Sequence, residues 1–447
     1  MQSEKQYIEL YRQFEKVICQ HSPVPMNTPR AQAYAAFCRQ GLPTRKQERY
    51  KYTDLQQLFA PDFGLNLNRL EIPFNPADIF HCEVPNLSTL LFYVLNDSPY
   101  IQSPGKERLP EGVSVGTMAE MCKKNPHFID KYYAKLASSE NDPVTALNTM
   151  MTQDALVVHI ERNIRLSQTI QVVNLLRGNV PMMNNRRVLI VVEEGAEARL
   201  LFCDHTLDDQ PFLTTEVVEA FVEINASLEI YNLEETHSKN IRVSNTFVRQ
   251  GADSRLHHHN LTLHNGTTRN TLEVYLAEPG AECQCNGAVI ADKQQKVDNN
   301  TLIVHQTHHC QSTELYKYVL NQQSTGAFAG RILVEKDAQQ TVSQETNQNL
   351  CLTDEARMYS QPMLEIYADD VKCYHGSTVG QLNEVAVFYM QQRGISQDEA
   401  KLLLQTAFIN EVIDKIQVIP LRDRLHHLVN QRFRGKLNQC EGCKLCK

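Results

Sequence analysis

Tryptophan is absent from all 447 residues, which removes a side chain commonly used to stack on sugars. No apolar run approaches the ~18 residues that a membrane span requires, and mean hydropathy is −0.40. No membrane-spanning helix is predicted. The first twenty residues, MQSEKQYIELYRQFEKVICQ, lack an unbroken apolar segment and a small-residue cleavage site, so a cytoplasmic protein is expected. Excess positive charge is missing too. With 44 Lys+Arg against 52 Asp+Glu the net charge is −8, and a polyanion such as nucleic acid is not the expected partner.

Familiar catalytic signatures are also missing. There is no G-x-x-x-x-G-K-[ST] and no G-x-G-x-x-G after a strand, so this chain is expected to bind no nucleotide. H-E-x-x-H and G-x-S-x-G are absent, which disfavours a zincin and an α/β-hydrolase. The 13 cysteines are an odd set, and most stand singly among apolar neighbours, as Cys38, Cys82 and Cys203 do. That pattern suits a reduced, intracellular chain rather than a disulfide framework.

What remains is periodicity. Ile8, Tyr11, Phe14 and Ile18 form one apolar helical stripe. A second helix is expected with Asn27 as its N-cap ahead of Pro29 and Gly41 past its end, and Thr44 with Gln47 offers a capping box. From about Ala155 the texture changes to short β-branched runs, LVVHI, TIQVV and RRVLIVV, separated by turn residues. A phrase recurs: GAEARL from Gly195, NASLEI from Asn225, GADSRL from Gly251 and GAECQC from Gly280. Each opens on a residue that tolerates left-handed backbone and then alternates as a strand does. A loose period of this length, without helical pattern between the strands, predicts a β-solenoid, with a β-sandwich as runner-up. Past Gly380 helical spacing returns through Val385, Phe388 and Tyr389, then a capping box of Ser396 and Glu399 ahead of Ala400, Leu403, Leu404, Ala407 and Phe408. The reading is a mainly β protein: a helical or mixed region over 1–150, a β-helix core over 151–382, and a helical region with a cysteine-containing tail over 383–447.

Three groups of residues can carry metal chemistry. The tail ends in Cys440, Cys443 and Cys446 at C-x-x-C-x-x-C, a spacing that can turn three thiolates toward a soft metal or cluster; it equally describes a solvated tail. Histidines gather at His257, His258, His259 and His264, and at His305, His308 and His309 beside Cys310. On a strand His257 and His259 share a face, as a metal pair or as part of a polar row. In YADDVKCYHG, Asp369, Asp370, Cys373 and His375 lie close, and Cys373 and His375, two apart, would face one side of a strand. An ordinary turn has the same composition.

Long segments resemble one family. They are GLPTRKQERYKYTDL from Gly41, STELYKYVLNQQSTGAFAGRILVEKDAQQT from Ser312, NQNL from Asn347, PMLEIYADDVKCYHGSTVGQL from Pro362 and FYMQQRGISQDEA from Phe388. These are similar to the SufB/SufD family of iron–sulfur cluster assembly scaffolds, on its SufD side, since the SufB-type segment containing Trp is missing. The resemblance implies a right-handed parallel β-helix between helical ends and a non-catalytic subunit. It implies pairing with SufB through the β-helix, and binding of the ATPase SufC by helices from about Glu384 to Ile416. A transient iron–sulfur cluster shared with SufB would be held by His375, with Cys373 as neighbour or second ligand. Tyr374 stands where the family more often has Ser, a bulky phenol that would alter access. The Cys440, Cys443 and Cys446 tail is outside the family pattern. An exposed β-helix edge also lets two copies of an isolated chain pair. Two other classes compete: a β-helix carbohydrate-active enzyme, and a self-contained iron or cluster carrier using the C-terminal cysteines.

Overall fold

The computed structural model describes residues 3–73 and 87–436. Cys440, Cys443 and Cys446 therefore lie outside the described residues. The strands fall into two sheets that divide by parity beyond the first few. In spatial order, one sheet carries β19 (Val371–Gly380), β17 (Thr341–Cys351), β15 (Gln311–Leu320), β13 (Glu282–Ala291), β11 (Arg255–His264) and β9 (Ser227–Glu235). It continues through β7 (Glu197–Thr206), β5 (Thr169–Leu176), β1 (Thr89–Leu95) and β2 (Ser98–Pro99). The other carries β18 (Arg357–Ile366), β16 (Thr325–Val334), β14 (Lys296–His305), β12 (Thr267–Leu276) and β10 (Ile241–Gln250). Then come β8 (Phe212–Val222), β6 (Met182–Val192), β4 (Leu156–Ile160) and β3 (Val113–Thr117).

From β4 onward the neighbours within each sheet are parallel, so the chain alternates between two sheets and climbs by one strand in each per coil. A ladder of parallel neighbours excludes the sandwich, whose strands pair antiparallel. Inward positions of both sheets merge into one core, with Leu200, Ile230 and Leu256 meeting Ile190, Val248 and Val274.

The repeat unit is set by backbone conformation more than by residue type. At one corner the left-handed residues are Asn163, Gly195, Asn225, Asp253, Gly280, His309 and Gln340, one per coil. From Gly195 onward each is followed by a small or slim buried residue: Ala196, Ala226, Ser254, Ala281, Cys310 and Thr341. The third phrase begins later than expected, because Asp253 and not Gly251 takes the positive φ, of 54°. Asp tolerates this region through local hydrogen bonding of its short side chain.

Helices cover opposite sheets. Helix α1 (Glu4–Gln20), the short α2 (Val24–Asn27) and α3 (Arg30–Gln40) precede α4 (Leu55–Leu58); α5 (Met118–Lys124), α6 (Pro126–Tyr132) and α7 (Pro143–Met151) follow the first strands. The buried Tyr7, Tyr11 and Ile18 join Phe37, Leu147 and Met150 over Met183, Leu213 and Val243 of the even-numbered sheet. At the other end α8 (Glu384–Gln391), α9 (Gln397–Ile413) and α10 (Ile419–Phe433) close the chain. Ile409, Val412, Leu425 and Val429 pack on Leu201, Leu233, Leu263 and Ile290 of the odd-numbered sheet.

Three capping expectations are corrected. Asn27 ends α2, and its side chain bonds Cys19 O and Arg30 Nε; Pro29 is the residue before α3. Gly41 does terminate α3, at φ 62°. Thr44 and Gln47 cap no α-helix, since a single 3₁₀ turn, Glu48–Tyr50, follows, and Thr44 Oγ1 accepts from Lys46 N instead. Ser396 caps α9 by accepting from Glu399 N, but the Glu399 carboxylate turns away to Arg434.

The segment after α3 is a strap across the even-numbered sheet. Arg49 pairs with Glu273 at 2.6 Å, Tyr50 bonds Asp142 and lies under Arg269, and Thr53 donates to Asp298. Further on, Tyr52 stacks on Tyr359 of β18 with centroids 4.8 Å apart, and Gln361 donates to Glu48. The quoted sequence RKQERYKYTDL is therefore a clamp that holds strands of several coils in place.

Candidate functional site

Strands β18 and β19 end the two sheets, so no further coil covers them among the described residues. Parallel pairing stacks like positions in columns. His258 of β11, Cys285 of β13, Glu314 of β15, Glu345 of β17 and His375 of β19 are successive register partners. Cys283, Ser312, Ser343 and Cys373 form the next column. Both columns face the interior. Cys283 and Cys285 lie in the core shared by the two sheets, and Cys373 packs near Ile332 and Val334 of β16 in the opposite sheet. Cys373 and His375 thus share one face, as their spacing predicts, at the open end of the solenoid.

Cys373 is half-buried and His375 exposed. Burial pushes the Cys373 thiol up, partly offset by a hydrogen bond from the Ser343 backbone. A metal there would have to displace that proton. Tyr374 points to the opposite face and is exposed, so its phenol does not stand between Cys373 and His375. Asp369 and Asp370 belong to the turn before β19: Asp370 N donates to Gln339 and its carbonyl accepts from Gln340. No three His, Cys, Asp or Glu side chains among the described residues converge as a preformed metal site, so these acids do not complete one with Cys373 and His375.

Beneath His375 the interior is unexpectedly acidic. Glu314 and Glu345 are 2 % and 1 % exposed. Neither carboxyl makes a well-formed hydrogen bond among the described residues. Burial pushes Glu314 up to about 8, with the nearby Thr301 hydroxyl acting in the opposite direction. Burial and repulsion from Glu314 push Glu345 up to about 9. Both are therefore held as neutral acids near pH 7. The acids several coils deeper differ: Asp204 lies against Arg186 and Arg242, and Arg242 reaches Glu216.

The histidine clusters separate by parity. His257 and His259 do share a face, but it is the outer one, beneath the C-terminal helices; His257 meets Gln417, and the His259 ring lies tilted against Tyr231. Burial lowers His259 to about 3 and His258, which meets Asn232, to about 4. These are neutral packing residues. His264 bonds Thr236 O, and His305, lowered to about 4, bonds Ser312. His309 is a left-handed corner residue and Cys310 fills its buried small-residue slot. Glu314 and Glu345 carry no motif in the sequence. The available signal was an acid at an inward position in each of two strands one coil apart.

The architecture defines a class: a parallel β-solenoid with helical ends that presents a cysteine and a histidine at its open mouth. Two family models match, "SUF system FeS cluster assembly, SufBD core domain" over residues 175–408 and "SufBD protein N-terminal region" over residues 1–172. The chain belongs to the SufBD family and is an iron–sulfur cluster assembly protein of that family. It is 26 % identical to the iron–sulfur cluster assembly protein SufD of Escherichia coli over 91 % of this chain and 93 % of that protein. A SufBD family protein of Synechocystis is 27 % identical over 88 % of this chain and 87 % of its own length. Protein ABCI7, chloroplastic, of Arabidopsis thaliana is 25 % identical, over 91 % and 86 % respectively.

Proposed function

We propose that this chain is a non-catalytic scaffold subunit that pairs with a SufB-type partner through the open end of the solenoid. A transient iron–sulfur cluster is assembled between them, with His375 as one ligand and Cys373 as neighbour or second ligand. The observation that carries this reading is the placement of Cys373 and His375 on one inward face of the last strand, at an uncovered end. An edge strand with free N–H and C=O groups is a template for a second sheet. Tyr359, Tyr367, Tyr374 and Val379 are exposed on or beside these last strands, as an interface would require.

A cluster held here by one imidazole, rather than by four thiolates of one chain, exchanges readily toward an acceptor's thiolates. Iron and sulfide are cargo on this reading, not resident cofactors. The C-terminal helices take the ATPase SufC. In support, α8 leaves Val385, Phe388 and Tyr389 at 76 %, 61 % and 56 % exposed, whereas α9 and α10 bury apolar residues on the sheet. That stripe was legible in sequence as an amphipathic face; its partner is not another part of the described chain.

The test is co-purification with SufB and SufC, anaerobic cluster reconstitution and an absorption spectrum, for the wild type and His375→Ala. The variant is expected to assemble normally and to lose the visible cluster band. Equal cluster yield in the two complexes would remove His375 from the site.

A further inference from the structure

We propose that Glu345 is a third protein ligand of the mouth, rising from the coil below to bind a divalent metal ion held by Cys373 and His375. This deepens the reading above and rests on it.

Position is the first argument. Glu345 is the register partner of His375, and Ser343 that of Cys373, so Glu345 lies one strand spacing below its partner, about 4.8 Å away, with its side chain on the same inward face. A glutamate is long enough to span that rise. The second argument is the state of its carboxyl. Both oxygens are without a hydrogen-bond partner in a residue only 1 % exposed, although buried polar groups are almost always partnered. Across the interior its wall has been cleared: a Cβ at Gly330 would lie 2.5 Å from Cδ of Glu345. Below it stands a second acid without a formed hydrogen bond, Glu314, and among the described residues no arginine or lysine is hydrogen-bonded to either one.

The chemistry of the set fits ferrous iron. One thiolate, one imidazole and one carboxylate combine soft and hard donors with open positions for water, sulfide or a partner's ligand. In the structure the three side chains do not converge, so binding turns the Glu345 carboxyl upward and takes protons from it and from the Cys373 thiol. The ion then supplies the compensation that the interior lacks.

The experiment uses Co²⁺ as an anaerobic spectroscopic probe for Fe²⁺. The full chain carries serine at Cys440, Cys443 and Cys446 to silence the tail. Wild-type, Glu345→Gln and His375→Ala forms of this background are titrated, following the thiolate charge-transfer and d–d bands. Glu345→Gln is expected to weaken Co²⁺ binding at least about tenfold, the scale at which even outer-shell partners act. It should also shift the d–d bands while the thiolate band persists at saturation. A Glu345→Gln titration that superimposes on wild type, with binding still lost in His375→Ala, overturns the inference and leaves the mouth reading intact. Unchanged binding in His375→Ala overturns both. If Glu345→Gln does not fold, Glu345→Asp replaces it: the shortened carboxylate should also weaken binding, and unchanged affinity is again refuting.

Discussion

Replacing Glu314 by glutamine should make the stability of this protein less dependent on pH, by an amount the structure sets. The group is buried above Cys285 and below Glu345, and burial raises its pKa to about 8 from an ordinary value of 4.5. A carboxyl with a raised folded pKa contributes stability below its unfolded pKa and loses it as pH climbs through the folded one. Between about pH 5 and pH 7.5 the unfolded chain releases this proton while the folded chain keeps it, which costs the wild type about 3 kcal/mol at 1.36 kcal/mol per pKa unit. Glutamine has the same shape and no proton to lose. Urea midpoints converted to free energies should therefore show the variant gaining about 3 kcal/mol relative to wild type across that window. Its stability at the acid end should be lower or similar, since the new amide also needs partners. Parallel pH profiles for the two proteins would refute the claim that Glu314 is held as a neutral acid.

Glu219 of β8 takes hydrogen bonds from Ala134 N, Leu136 N and Ala137 N and pairs with the fully buried Arg187. Glu219→Ala leaves Arg187 uncompensated and should cost about 3–5 kcal/mol by urea denaturation, with proteolysis of the 134–137 segment as the local readout. Gly287→Ala places a Cβ 2.2 Å from the Tyr316 ring and should cost about 1–3 kcal/mol in the same assay. Phe388→Asp, at an exposed position of α8, should leave stability unchanged, within about 0.5 kcal/mol, while abolishing capture of SufC in a pull-down.

The solenoid was legible in the sequence because its coils are bound to a nearly constant length. Every coil needs one corner with left-handed backbone, and Gly195, Asn225 and Gly280 announced three of them. The rest were hidden because that corner accepts Asp253, His309 and Gln340 as well, residues whose type says little of φ. The same blindness made His309 look like a metal candidate. Cys373 and His375 were readable because alternation along one strand needs only two residues of context. Glu314 and Glu345 were not, because they become neighbours only through a ladder that joins strands a whole coil apart, and its register depends on where each strand begins. Asn27 departs from the expected N-cap for a local reason: a one-turn helix ends on it, and its side chain serves the preceding helix and Arg30 instead of a new N-terminus.

The two lips of the mouth answer to different ends of the chain. Strand β18 is tied to the N-terminal strap through Tyr52 on Tyr359 and Glu48 on Gln361. Strand β19 runs after Gly380 almost directly into α8, and the following helix grips the same sheet through Lys317 and Glu411. The C-terminal helices are thus fastened to the odd-numbered sheet well below the mouth through α9 and α10, and to the mouth itself only through the short link from β19 to α8. The two lips are moored by opposite ends of the chain, β18 by the N-terminal strap and β19 by the C-terminal helices.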